Sequence, residues 1–123
     1  MKEIKTITAP AAIGPYSQAI ISGNLVFTSG QIPVNPENGE IPVGVESQAH
    51  QVFKNLKNLL VSAGSGIDKV IKTTVFIQNM NDFAKINEIY SEYFKEPFPA
   101  RSCVEAAKLP KGVLLEVEAI AEL

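Results

Sequence analysis

The sequence predicts an α+β domain in which two helices pack on one face of a mixed, six-stranded sheet. Three observations carry that prediction. Two long stretches repeat apolar residues at helical spacing, six shorter ones read as strands, and Gly, Pro and Asn punctuate the intervals between them.

In chain order, Lys2 to Ile7 supplies an edge strand. Ala19 to Ser22 and Leu25 to Ser29 flank Gly23-Asn24, whose tolerance of positive φ suits a two-residue hairpin turn. The Pro- and Gly-rich segment from Gln31 to Gly44 reads as one long loop. From Glu46 to Ala63, the residues Ala49, Val52, Phe53, Leu56, Leu59, Leu60 and Ala63 form a helical stripe, and Gly64 provides its stop. Val70 to Ile77, short and rich in β-branched residues, predicts a buried strand. A second helix starts at Asn81 or Asp82, carries Phe83, Ile86, Tyr90 and Phe94 on one stripe, and ends before Glu96-Pro97-Phe98-Pro99. Ala100 to Ala106 and Val113 to Ala121 are separated by Leu109-Pro110-Lys111-Gly112, which has turn chemistry, so they are expected to form an antiparallel hairpin.

Strand alternation then sorts the side chains. Val113, Leu115, Val117, Ala119 and Ala121 share an apolar face that should meet the helices, while Leu114, Glu116, Glu118 and Ile120 occupy the other. In the preceding strand, Arg101, Cys103 and Glu105 lie on one side and Ser102, Val104 and Ala106 on the other. Pairing Ala106 with Val113 in the expected hairpin sets Cys103 opposite Glu116 and Arg101 opposite Glu118, a polar cluster among apolar neighbours on the face without helices. Such a face is either solvated or covered by another subunit.

Composition narrows the function classes. With 123 residues, 46% hydrophobic and 20% charged, the chain suits one domain spanning residues 1–123. Its net charge of -2 and the lack of a Lys/Arg run make nucleic acid an unexpected partner. The single cysteine cannot close an intrachain disulfide, the N-terminus lacks a signal-peptide pattern, and no apolar run reaches membrane-spanning length. A reducing cytoplasm is the simplest expected location. Walker and dinucleotide motifs are absent, and one histidine with one cysteine makes no common metal site.

Among the polar residues, Arg101 offers a planar fork of donors matching a carboxylate, and is the leading substrate anchor. Glu116 is placed to exchange a proton with water or a leaving amine, or alternatively to pair with Arg101. Cys103 is a weaker nucleophile candidate, because the only histidine, His50, sits at the edge of the first helix's apolar stripe and reads as solvated. Asn87 interrupts the second helix's stripe, so it is expected to be buried with partners. Tyr16, in Gly14-Pro15-Tyr16-Ser17, can place an aromatic ring over a pocket, and Ser29-Gly30 at a strand end lets a ligand approach bare backbone.

Several stretches taken together resemble the RidA/YjgF family: residues 9–18 (APAAIGPYSQ), 28–33 (TSGQIP), 99–105 (PARSCVE), Leu109-Pro110 and 116–121 (EVEAIA). The resemblance covers nearly the whole chain. It implies a chorismate-mutase-like fold assembled as a homotrimer, with the sheets forming a central β-barrel and clefts between neighbouring subunits. It further implies that Arg101 clamps a substrate carboxylate and Glu116 positions water, with Tyr16, Ser29, Gly30, Asn87, Ser102 and Cys103 lining the cleft. The implied activity is cofactor-free, metal-free hydrolysis of 2-aminoacrylate and related imines released by pyridoxal-phosphate enzymes. A non-catalytic regulator of purine or amino-acid metabolism, an endoribonuclease or translation inhibitor, and a holdase are the alternatives within the same family.

Overall fold

In the computed structural model, which describes residues 1–123, six strands form one sheet in the order β1-β2-β3-β6-β4-β5, with both helices on one of its faces. β1 (Lys2–Ile4), β2 (Ala19–Ser22) and β3 (Leu25–Thr28) make an antiparallel meander, and β2 and β3 turn at Gly23-Asn24 with Ser22 opposite Leu25. Gly23 has φ 61°, the left-handed conformation that glycine adopts without a Cβ clash.

Helix α1 (Val45–Ser62) buries Ala49, Val52, Phe53, Leu56, Leu59 and Leu60 against the sheet. Its C-terminus is a Schellman arrangement: Gly64, at φ 85°, donates to Val61 O at 3.0 Å, and Ser65 N donates to Leu60 O at 2.9 Å. β4 (Val70–Ile77) leads through a short 3-10 turn, Met80–Asp82, into α2 (Phe83–Tyr93), and β5 (Ala100–Glu105) and β6 (Leu115–Glu122) follow. The two helices meet through an aromatic cluster in which Phe53 of α1 lies 5.7 Å from Tyr90, with their rings edge to face.

The expected hairpin between the last two strands does not form. β5 pairs parallel with β4, with α2 as the crossover, while β6 is antiparallel to both β3 and β4 in the middle of the sheet. The reason is burial. Leu115, Val117, Ala119 and Ala121 of β6 are fully packed under the helices, whereas five of the six residues of β5 are exposed, so the apolar strand takes the centre and the polar one the edge.

The change of neighbours also overturns the expected polar cluster. Thr73 of β4 is in register with Arg101 and Val75 with Cys103, and both β4 residues face the helices, so Arg101 and Cys103 lie on the helix face. Phe76 is in register with Glu116 and Thr74 with Glu118, which puts both glutamates on the open face. Phe27 and Ile120 are cross-strand partners on that open face, and Val104 shares it; Phe27 and Val104 remain 41% and 46% exposed.

Candidate functional site

Arg101 projects from edge strand β5 towards the side of α2. Its Nη1 donates to Asn87 Oδ1 at 2.7 Å, and its guanidinium carbon stands 4.8 Å from the centre of the Tyr90 ring and 5.5 Å from that of Phe83. Every partner is neutral. The chain's only salt bridge joins Lys85 to Glu88, so Arg101 keeps its full charge and most of its N–H donors for something outside the chain. An open pocket of about 410 Å³ lies here, walled by Asn87, Tyr90, Ser91, Phe98, Pro99 and Arg101. Asn87 is half-buried rather than buried, and its partner is the Arg101 guanidinium at the edge of the sheet rather than a core group.

Cys103 lies two residues further along the same side of β5 and packs against the core. Burial pushes its thiol pKa up, and the Arg101 charge offsets this only in part. The thiol form is therefore favoured over the nucleophilic thiolate. His50 is not a base for it: its Nδ1 is 2.9 Å from the Tyr93 hydroxyl, across the α1–α2 contact, so the residue read as solvated is half-buried and partnered.

Glu116 and Gly30 form a second constellation on the opposite face. Gln31 exchanges backbone hydrogen bonds with Val117 at 2.8 and 3.0 Å, an antiparallel bridge that sets Gly30 opposite Glu118 and within reach of the Glu116 side chain. The carboxylate lies so close to the Gly30 backbone that an added Cβ would collide with Oε2, so the present position of the Glu116 carboxylate depends on the space that glycine leaves. Burial raises the Glu116 pKa above its ordinary value, and neighbouring Glu118 raises it further. A carboxyl whose charged form is disfavoured holds a proton more readily and suits exchange with water or an amine.

The loop bearing Tyr16 is clipped to the end of β3. Ser29 Oγ donates to Ser17 O at 2.6 Å and Ser29 N to Gln18 O at 2.9 Å, so the Ser29 hydroxyl proton is spent on holding Tyr16 in place. The Tyr16 ring is 50% exposed and, with Gly30, borders a pocket of about 350 Å³ whose walls include Pro10, Ile13 and Ile32.

The expected site residues thus fall into two groups within one chain: Arg101, Asn87 and Cys103 on the helix face, and Tyr16 and Gly30 at one pocket with Glu116 against Gly30. Ser102 joins neither; it faces the open side and accepts a 3.0 Å hydrogen bond from Lys72 Nζ. Sequence reading missed Tyr90 and Phe83 as companions of Arg101, because an aromatic stripe on a helix reads first as core. The available signal was spacing, since Phe83, Asn87 and Tyr90 stand four and three residues apart on one helix face. It also missed Gln31, which is buried and whose Oε1 has no hydrogen-bond partner.

Comparison with known proteins agrees with this architecture. The family model described as Endoribonuclease L-PSP matches residues 6–123. The 2-iminobutanoate/2-iminopropanoate deaminase of Escherichia coli K12 is 53% identical over 123 residues, covering 98% of this chain and 96% of that protein. The crystal structure of E. coli TdcF with bound serine superposes with a TM-score of 0.95 at 52% identity, covering 100% of this chain and 99% of that one. RidA from the Antarctic bacterium Psychrobacter sp. PAMC 21119 superposes at 0.97 with 42% identity and full coverage of both chains. With a family match across almost its entire length and relatives above half identity, the chain belongs to the RidA/YjgF family.

Proposed function

We propose that the protein is a hydrolytic deaminase of 2-imino and 2-enamino acids, 2-iminopropanoate and 2-iminobutanoate among them, converting them to 2-keto acids and ammonia. The observation that carries the reading is Arg101, a cation held only by neutral partners and facing a pocket, in a chain that is 53% identical to a deaminase of these two imines. A guanidinium so placed is a receptor for the carboxylate that every such substrate carries.

The reaction needs little else. Water adds to the iminium carbon, giving a carbinolamine after loss of a proton; that proton moves to nitrogen, the C–N bond breaks, and ammonia departs as the carbinolamine hydroxyl gives its remaining proton to solvent and the carbonyl forms. Glu116, with its raised pKa, is suited to take the proton from water and return it to the leaving amine. Clamping the carboxylate at Arg101 orients the iminium carbon for this attack.

Because Arg101 and Glu116 lie on opposite faces of one sheet, a single chain does not supply both to one substrate. A second copy, docking its Glu116–Gly30 face against the Arg101 edge, completes the site. A homotrimer whose open sheet faces line a central barrel meets that need and covers Phe27 and Val104 as well. Tyr16, Gly30, Asn87 and Cys103 then border the cleft. Ser29 acts through Tyr16, and Ser102 belongs to the subunit contact rather than to the substrate.

The test couples a threonine dehydratase to the purified protein and follows keto-acid formation. Wild type is expected to accelerate it, and Arg101→Ala to lose at least roughly 100-fold in kcat/KM while keeping its fold and assembly state, as removal of a charge-paired anchor does. Equal acceleration by the variant would remove Arg101 as the anchor, and none by wild type would favour a ligand-binding regulator.

A further inference from the structure

We propose that Tyr90, with Phe83, is a positioning residue for this reaction: the two ring faces hold the Arg101 guanidinium so that its unused N–H edge points at the substrate carboxylate. The proposal rests on the deaminase reading.

An arginine on an exposed edge strand ordinarily samples many rotamers, and confining it on binding costs affinity. A carboxylate would restrain it but also neutralise the charge meant for the substrate. Aromatic faces restrain a guanidinium without neutralising it, because the attraction comes from the ring quadrupole and brings no counter-charge. Arg101 has two such faces, at 4.8 and 5.5 Å, and one amide acceptor, Asn87 Oδ1.

Tyr90 is itself immobilised. It is 6% exposed, its ring stacks on Phe94 with centroids 4.3 Å apart, and its hydroxyl lies 2.8 Å from Thr73 Oγ1. Thr73 is also the β4 residue in register with Arg101. The backbone that carries the arginine and the ring that steers its head are therefore referenced to the same residue, and the guanidinium inherits the rigidity of the core.

Steady-state kinetics on 2-iminobutanoate generated in situ, together with calorimetric binding of the product 2-oxobutanoate, test this with Tyr90→Phe, Tyr90→Leu and Phe83→Leu. Tyr90→Phe keeps the ring and is expected to stay within roughly threefold of wild type. Tyr90→Leu is expected to raise KM and the 2-oxobutanoate Kd roughly tenfold with kcat changed less than about threefold, and Phe83→Leu to raise both roughly threefold. Should Tyr90→Leu not fold, Phe83→Leu decides. Unchanged KM and Kd in a folded leucine variant, a fall confined to kcat, or a Tyr90→Phe defect as large as that of Tyr90→Leu would overturn the proposal. If wild type binds 2-oxobutanoate but does not deaminate, the deaminase reading falls, while the Kd series still decides whether the rings position Arg101.

Discussion

Glu116 combines two properties that single substitutions separate: its carboxylate occupies space that only a glycine at position 30 leaves free, and its charged form is disfavoured. Gly30→Ala forces the carboxylate to move, and a displacement of an ångström at a reacting group costs roughly 10–100-fold in rate, so kcat/KM is expected to fall in that range. Activity within twofold of wild type would show that the Gly30–Glu116 contact is irrelevant to catalysis. Glu116→Gln isolates the proton. Since burial and Glu118 raise the folded-state pKa above 4.5, the stability linked to this group is fully present below pH 4.5 and is lost as pH rises through the raised value. The glutamine variant has no such loss, so its Tm relative to wild type is expected to climb as pH goes from 4 to 8. Parallel curves would contradict the raised pKa. At this scale the sequence was informative about kinds of residue and less so about their company. Strand parity correctly separated Arg101 and Cys103 from Ser102, but relating that parity to Glu116 needed the identity of β5's neighbour, which alternation within a strand does not contain.

At the scale of elements, α1 is more than an apolar stripe. It buries Gln48 and Asn55, two amides that tie down the loops leading to and from the site. Asn55 Nδ2 donates to Ile32 O at 3.0 Å and Val34 O at 2.9 Å, and Gln48 links Pro42 O to Leu114 N, so the segment after Gly30 and the approach to β6 are anchored to one helix. Asn55→Ala strands the Val34 carbonyl and leaves Ile32 O with only the Val34 N–H, at 2.8 Å, and is expected to lower the unfolding free energy by about 1–3 kcal/mol in urea titration; a loss below about 0.5 kcal/mol would mean that solvent replaces the amide freely. The extents of α1 and β4 followed from the sequence because local periodicity and a terminal glycine determine them. The placement of β5 did not. Four turn-forming residues before β6 suggested a hairpin, yet residues 106–114 carry the chain past β4, and that choice is governed by which strand buries the more apolar face.

For the whole molecule, the division of the site between two sheet faces is the feature with the largest consequence. One chain holds Arg101 and Asn87 beside one pocket and Tyr16 and Gly30 beside another, so the proposed deaminase site calls for a second copy, and on that reading assembly becomes part of the chemistry. Family resemblance supplied that expectation at the outset; the face assignments of Arg101 and Glu116 give it a physical reason. The most direct test mixes two defective proteins, Arg101→Ala and Glu116→Gln, by joint unfolding and refolding in equal amounts, then measures deamination in the dehydratase-coupled assay. If each site takes its arginine from one copy and its glutamate from the next, random trimers restore an intact pair at roughly a quarter of the sites, and activity should return to about that fraction of wild type. If the mixture stays as inactive as either parent although mixed trimers have formed, Arg101 and Glu116 do not meet across a subunit boundary, and the shared site is contradicted.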